Sequence, residues 1–477
     1  MNKLNSKITK RDQDFAMWYT DIIKASRLCS YSSIKGFIIL EPLGYAIWEE
    51  AQKILNKMFK ETGHFNCYLP LLIPEDLLNK EKDLVEGFAP EVAWVTEGGS
   101  KKLDQRFCIR PTSETLFCEY FRSIIESYKD LPVKLNQWCS VVRWEKETRP
   151  FLRGREFLWQ EGHTIHETQE EGEKETLLML KIYEKFLKEY LAIPVIIGKK
   201  TESEKFAGAL YTYTTEALMY NGVALQMATS HFFEQKFTKA YDIKFKNKNN
   251  EYVYPYQTSW GITTRIIGGI IMVHADDRGL VLPPKIAPTK IDIIPIGTSL
   301  ELDNYLEKIK SLLDSNNLSY YIDQTNKNPG YKFAESEVKG TPLRLEVGDR
   351  DLKEGFITLV RRDTYEKIHF KIDDNIIDEI KLLLDKIQEN LYEMALKRRE
   401  EKTYHATSFQ EVKDIIESKG PGFIHACWCG KKECEEKMKE INGIKSRCIP
   451  FEENLFSDHC LVCGEKAKYE VIWGIQY

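Results

Sequence analysis

The sequence predicts an α+β protein built as three successive domains, over residues 1–285, 286–395 and 396–477. Three observations lead there. In the first segment, aromatic-rich runs of alternating polarity are separated by short polar turns, which reads as an antiparallel sheet with helices around it. Beyond a proline-punctuated break, PPKIAPTK, apolar runs alternate with helical ones and finish in hairpin-like strands. That order reads as a small α/β domain with a mixed sheet. A charged stretch, KRREEKTYHATS, then leads into a tail that holds six of the chain's 11 cysteines.

The elements follow in order. Residues Leu43 to Phe59 carry apolar side chains at helical spacing, and Gly63 ends that helix. HFNCYLPLLIP reads as a strand punctuated by Pro70 and Pro74. VKLNQWCSVVRWE and REFLWQEGHTIH read as two strands joined by the polar loop KETRPFLRG. Glu170 to Tyr190 is an amphipathic helix, and GVALQMATSHFF and IIGGIIMVHA read as further strands. In the second domain IDIIPIG, LSYYID, PLRLEVGD, FITLVRR and IHFKI are strands, interleaved with a helix near Leu300 to Leu313 and a shorter one. A helix from Ile376 to Met394 closes that domain, with Ile380, Leu383, Leu384, Ile387 and Leu391 on one face.

With 42% hydrophobic and 30% charged residues the chain has the material for packed cores, which excludes a disordered or fibrous protein. No apolar run approaches the roughly 20 residues that span a bilayer. The opening MNKLNSKITKRDQDF has no apolar secretory core, so a soluble cytoplasmic protein is expected. A formal charge of −5 argues against indiscriminate coating of nucleic acid, while leaving room for a local basic face that docks one RNA. Isolated cysteines in such a chain read as buried thiols.

The clustered cysteines read differently. Cys429, Cys434, Cys460 and Cys463 form two pairs at knuckle-like spacing, each directly or nearly followed by a turn residue such as Gly430 or Gly464. Four soft ligands from two short loops suit a structural zinc ion. Cys427, Cys448, His425 and His459 are further candidates, and a set of merely buried cysteines is the competing reading.

The densest chemistry lies in VVRWEKETRPFLRGREFLWQEGHTIHE, where Arg143 and Arg153 flank a polar turn with Glu145 nearby. Arginine grips phosphate with a planar, permanently charged fork. Taken alone, the pattern also fits a salt-bridged surface hairpin. The wider context changes this. Arg143, Glu145, Arg153 and Phe157 at their spacing resemble motif 2 of class II aminoacyl-tRNA synthetases, and FLRGREFLWQEGHT resembles its prolyl members. HFNCYLPLLIP resembles motif 1, RPTSET (110–115) resembles the loop that binds the amino group, and WGITTRIIGG (260–269) resembles motif 3, a strand leading to a helix with an ATP-binding arginine. Gly154 stands where relatives often have threonine, and GITTR replaces the glycine-x-glycine form of other class II enzymes.

The resemblance implies ATP-dependent activation of L-proline and its transfer to tRNA(Pro). It assigns Arg143 to the α-phosphate and substrate carboxylate and Arg265 to the γ-phosphate, with Glu145, Arg153 and Thr264 also at the ATP. Thr112 and Glu114 would meet the proline nitrogen, with Trp159, Glu161 and His163 around its ring. Gln226 and Thr229 would lie near the adenosine, and His231 would close the pocket. Magnesium accompanies ATP in such chemistry. The resemblance also implies a homodimer with Pro70 at its interface, and an anticodon-binding second domain. There Glu337, Arg344 and Arg350 match base-reading positions, and Lys332, Arg361 and Arg362 suit phosphates. The tail resembles the zinc-binding domain of the short type of this family, in which the final tyrosine, here Tyr477, folds back toward the active site.

Between Ile165 and Val223 there is no room for the editing insertion of the longer type. An apolar pocket separates near-isosteres by only about 10–200-fold. Cysteine or alanine should therefore be activated detectably, without hydrolysis by this chain. Pyrophosphate exchange with each amino acid checks this, and a preference for proline over cysteine above roughly 10⁴ would exceed that pocket range.

Overall fold

The computed structural model describes residues 8–84, 91–372 and 375–477. Its main feature is an 11-stranded sheet. The first domain contributes β1 (Phe65–Asn66), β2 (Val133–Val142), β3 (Glu156–His166), β4 (Val195–Lys199), β5 (Tyr211–Leu218), β6 (Ala224–Glu234) and β7 (Tyr256–Thr263). The second domain has its own sheet of β8 (Ile291–Ile296), β9 (Tyr320–Ile322), β10 (Leu343–Gly348), β11 (Phe356–Arg361) and β12 (Lys367–Lys371). The third contributes β13 (Thr403–Ala406), β14 (Phe423–Trp428), β15 (Ile444–Pro450) and β16 (Tyr469–Ile475). The long sheet runs β13-β14-β16-β15-β4-β5-β6-β7-β3-β2-β1, antiparallel except at its two edge pairs.

The helices used below are α1 (Phe15–Ala25), α2 (Pro42–Glu61), α3 (Glu114–Ile124), α4 (Gln169–Glu189), α5 (Arg265–His274), α6 (Leu300–Ser315), α7 (Pro329–Lys339), α8 (Ile376–Glu401), α9 (Phe409–Lys419) and α10 (Lys432–Met438). The expected helix over 43–59 is α2, which buries Ile47, Trp48, Ala51, Leu55 and Phe59 and ends before Gly63, whose φ of +82° favours glycine. The amphipathic helix over 170–190 is α4. Thr168 caps it by accepting from the Glu171 amide at 3.2 Å, and Glu171 returns a bond from the Thr168 amide at 3.3 Å. Its buried face, Met179, Leu180, Tyr183, Phe186 and Leu187, lies against the sheet.

The hairpin expected from VKLNQWCSVVRWE and REFLWQEGHTIH is β2–β3, in register from Val133 opposite Ile165 to Val142 opposite Glu156. Gly162 faces Trp260 across the ladder, and a Cβ there would lie 2.1 Å from the indole. Its missing side chain lets Trp260 pack against Phe59 at 4.9 Å between centroids, in the largest core cluster.

Two expectations are corrected. IIGGIIMVHA is not a strand but α5, buried along its length. A continuous apolar run does not distinguish a buried strand from a buried helix. Two glycines give α5 its close approach: Cβ atoms at Gly268 and Gly269 would each fall 2.6 Å from Leu152 and Met227. HFNCYLPLLIP is not one strand either, since only Phe65–Asn66 and Leu72–Pro74 are extended and paired. Between them the backbone bonds to side chains: the Leu69 amide donates to Gln137 Oε1 at 2.5 Å, and Arg110 Nη1 donates to the carbonyls of Leu69 and Pro70 at 2.7 and 3.3 Å. Backbone groups satisfied in this way need no ladder.

The second domain has the expected mixed sheet, ordered β9-β8-β10-β11-β12, with β8 parallel to both neighbours and the β10–β11 and β11–β12 pairs antiparallel. α6 and α8 bury Leu302, Ile309, Leu313, Ile380 and Ile387 in its core. α8 continues unbroken to Glu401 and ties back to the first domain, where Arg398 Nη1 donates to the Val273 carbonyl at 2.8 Å. The third domain is joined by backbone pairing: β15 adds to β4 with Ile449 opposite Lys199 and Pro450 opposite Gly198. Among the described residues no helix is long and apolar enough to cross a membrane.

Candidate active site

Side chains two apart on a strand share a face. On β3 this places Phe157, Trp159, Glu161 and His163 together, lining a cavity of about 1000 Å³ over the centre of the sheet. β6 adds Gln226, Thr229 and His231, the start of α5 adds Thr264 and Arg265, and the start of α3 with the loop before it adds Glu114 and Thr112. Arg143, Glu145 and Arg153 enter from the β2–β3 turn. All the residues expected at proline and ATP therefore line one cavity.

Its two ends differ in chemistry. At one end, Glu161 is buried and receives bonds from Ser113 Oγ, Gln137 Nε2 at 2.8 Å and His163 Nε2 at 3.2 Å. Burial pushes this carboxyl up, but the bonds from His163, Ser113 and Gln137 outweigh it and hold the group below its usual range. Phe117 stacks on His163 at 4.0 Å, and His163 Nδ1 is buried with no hydrogen-bond partner among the described residues. Thr112 Oγ1 donates to Glu114, and both are buried. His231 is bonded with Thr212 at 2.9 Å and Thr229 at 3.0 Å.

At the other end, three guanidinium groups converge. Arg143 Nε donates to the Pro111 carbonyl at 3.0 Å, and its charge lies 5.4 and 5.5 Å from the rings of Phe157 and Trp159. Arg265 Nη1 donates to the Gln226 carbonyl at 3.2 Å. Burial, then repulsion from Arg143 and Arg153, brings Arg265 down to about 10, although it keeps some surface toward the cavity. It stays charged at neutral pH. A cluster of this kind calls for a polyanion.

The four cysteines Cys429, Cys434, Cys460 and Cys463 also meet, with all sulfurs within 4.8 Å of one another. The Cys429–Cys434 and Cys429–Cys463 sulfurs are 3.6 and 3.7 Å apart. A tetrahedron with metal–sulfur bonds of about 2.3 Å has edges of about 3.8 Å, so the cluster fits a metal ion. The other candidates are engaged elsewhere: His425 with Glu470 at 2.5 Å, His459 with the Gly464 carbonyl at 3.0 Å, Cys427 with the backbone of Ser457 and Phe456, and Cys448 buried at the join with the first domain.

Residues 94–274 match the family model of the class II tRNA synthetase core domain (G, H, P, S and T). Residues 290–382 match an anticodon binding domain, and 409–477 match the prolyl-tRNA synthetase C-terminal domain. The chain is 54% identical to proline–tRNA ligase 2 of Bacillus thuringiensis over 478 residues, covering 98% of each. It is 54% identical to proline–tRNA ligase of Clostridium novyi, over 100% of this chain and 99% of that one. The chain belongs to the proline–tRNA ligase family. Its fold matches a crystal structure of prolyl-tRNA synthetase from Cryptosporidium parvum with a TM-score of 0.94, at 38% identity and full coverage of both chains. As a proline–tRNA ligase it activates proline with ATP and transfers it to tRNA(Pro), and its 477 residues correspond to the short type without the insertion.

In the ligase's second domain, Glu337 on α7 and Arg344 on β10 line one small recess, with Arg344 Nη1 3.4 Å from Glu337 and its Nη2 2.8 Å from Glu346. Arg350 lies apart, exposed on the short helix Asp349–Glu354. Lys332, Arg361 and Arg362, the cations suited to phosphates, each hold a partner within the protein. Lys332 donates to the Asp323 carbonyl at 2.7 Å, Arg361 to Asp363 at 3.0 and 2.7 Å, and Arg362 to Asp276 of the first domain with two bonds of 2.8 Å. Tyr477 does not line the cavity; its ring sits 5.7 Å from the guanidinium of Arg149, which does.

Sequence reasoning missed Ser113, Gln137 and Phe117. Gln137 had a signal, because it stands directly opposite Glu161 in the β2–β3 register. Ser113 sits inside the RPTSET loop itself.

Three buried histidines should make the enzyme acid-sensitive. Burial brings His231 down to about 3, aided by His163, and brings His166 and His274 down to about 4. They stay neutral when folded, whereas in the unfolded chain they take up protons below about 6.5. The unfolded state thus binds more protons, and stability must fall as pH falls below that value. Each such histidine costs up to about 1.4 kcal/mol per pH unit between its two pKa values. Urea midpoints should decline steadily from pH 7 to 5; a flat profile would contradict this.

Proposed function

We propose that the cavity holds proline at its Glu161 end and the ATP triphosphate at its arginine end, with the proline carboxylate meeting the α-phosphate between them. Both reactants are supplied, so the protein's work is positioning and charge neutralisation. The carboxylate oxygen bonds to the α-phosphorus as the bond to the β-phosphate oxygen breaks, and pyrophosphate leaves with that electron pair. Arg143 spans the carboxylate and the α-phosphate. Arg265 takes the γ-phosphate, with Arg153 and Glu145 along the chain and Gln226, Thr229 and Thr264 toward the nucleoside. Thr112 and Glu114 receive the proline ammonium. Trp159, His163 and His231 wall the ring, and Glu161 acts by holding His163. The 3′ hydroxyl of tRNA(Pro) then attacks the adenylate carbonyl, releasing AMP.

The observation that carries this reading is the meeting of Arg143, Arg153 and Arg265 in the cavity that also contains Thr112, Glu114 and Glu161. The Cryptosporidium parvum relative was crystallised with AMPPNP, an ATP analogue, and with halofuginone. Magnesium accompanies the ATP. Zinc is the ion for Cys429, Cys434, Cys460 and Cys463, since four thiolates suit it and leave no open position for chemistry. Glu337, Arg344 and Arg350 read the anticodon.

The domains run 1–285, 286–395 and 396–477, and the enzyme acts in the cytoplasm as a homodimer. Exposed Phe65, Tyr68, Leu71 and Leu72 around Pro70 form an apolar surface suited to that contact. The test is pyrophosphate exchange with each amino acid in turn. Proline should give the strong signal, and a signal equally strong with threonine would overturn the reading.

A further inference from the structure

Glu216 on β5 is fully buried where the first and third domains join, and the chemistry above does not use it. Four donors saturate its carboxylate. Lys200 Nζ at 2.8 Å and Thr214 Oγ1 at 2.7 Å meet Oε1, while Arg447 Nε at 2.9 Å and Nη2 at 2.6 Å meet Oε2. A carboxylate has about four lone-pair sites, so none remains and its orientation is held. Arg447 lies on β15 and is the third domain's contribution. Burying three charges stabilises a fold less than apolar side chains of the same volume would. Stability alone does not account for the network.

Its neighbours do. Glu216 stands opposite Gln226 on β6, immediately past a register shift that leaves Met227 unpaired. Such bulges redirect the residues beside them. The Gln226 carbonyl accepts from Arg265 Nη1 at 3.2 Å. Met227 lies under α5, where a Cβ on Gly269 would come within 2.6 Å of its methyl carbon. The bulge therefore touches both the guanidinium of Arg265 and the helix that carries it. Glu216 also acts on the Arg265 charge in the opposite sense to Arg143, Arg153 and Arg447.

We infer that Glu216, clamped by Arg447 of the third domain, is a positioning residue for Arg265: it holds the β5–β6 bulge whose Gln226 carbonyl aims that guanidinium into the cavity. The third domain thereby takes part in nucleotide binding without touching the nucleotide. This rests on the assignment of Arg265 to ATP.

The test compares Glu216→Gln, Arg447→Lys and Arg265→Lys in the full chain. Pyrophosphate exchange is measured with ATP and proline varied separately, after near-UV circular dichroism and melting confirm folding. Glu216→Gln should raise KM for ATP about tenfold, inside the roughly 2- to 30-fold span of couplings through packed networks, and leave KM for proline unchanged. Arg447→Lys keeps the charge but loses the fork, so it should give a smaller rise of the same kind; it decides the matter if Glu216→Gln does not fold. An unchanged KM for ATP in the folded variants overturns the inference, as does an equal rise for both substrates, which marks general loosening. If Arg265→Lys itself leaves KM for ATP unchanged, the site assignment falls and the inference with it.

Discussion

Alanine at Arg143 should abolish proline-dependent pyrophosphate exchange, lowering kcat/KM by about 10³-fold or more, the range in which a single arginine acts in phosphoryl transfer. That corresponds to about 4 kcal/mol of transition-state stabilisation. The reason is position. Arg143 is anchored in the cavity by the Pro111 carbonyl at 3.0 Å and backed by Phe157 and Trp159, beside Thr112 and Glu161 in the lining. On the proposed assignment, removing it takes away the charge that lets the carboxylate and α-phosphate, two anions that otherwise repel, approach each other. Lysine should recover only part of the loss, because a point charge does not reproduce bidentate contact with two oxygens. Activity of Arg143→Ala within about tenfold of the parent would be incompatible with a role in that range.

The second large effect concerns the cysteine cluster. Serine at Cys434, or prolonged chelation, should unfold the third domain and lower the melting temperature of the whole chain. Cys429, Cys434 and Cys460 are buried inside that domain's core beside Trp428, Met438 and Trp473. Without the proposed ion the four sulfurs would be protonated thiols, and the two loops would no longer be tied together. Structural zinc contributes about 10–16 kcal/mol in small domains, comparable with the whole stability of an ordinary fold. Because β15 completes the long sheet beside β4, the damage should spread into the first domain. Elemental analysis should find stoichiometric zinc in the parent and little in Cys434→Ser. A metal-free chain that melts at the same temperature would show the cluster to be ordinary packing.

Much of the site was legible because its signals are local. Resemblance of short motifs to the family named Arg143, Arg153, Trp159, Glu161 and His163, and alternation along β3 with the short turn between the arginines is what brings them to one cavity. The cysteine pairs were legible for the same reason, since ligands a few residues apart share a loop. Gln137 was missed although hairpin register alone would have found it. Glu216 and Arg447 could not be paired in this way, because 231 residues separate them and neither lies in a motif. Arg362 read only as a cation suited to phosphate, because its partner, Asp276, comes from another domain.

By itself the sequence indicated the α+β class and most elements, since residue type and periodicity act over a few residues, and its motifs pointed to the chemistry through their resemblance to the family. Only the tertiary structure decided that IIGGIIMVHA is a helix, that the chain near Pro70 leaves the ladder, and that the third domain extends the catalytic sheet. Each of those depends on which distant groups satisfy a buried backbone or charge, and spacing along the chain carries no record of that.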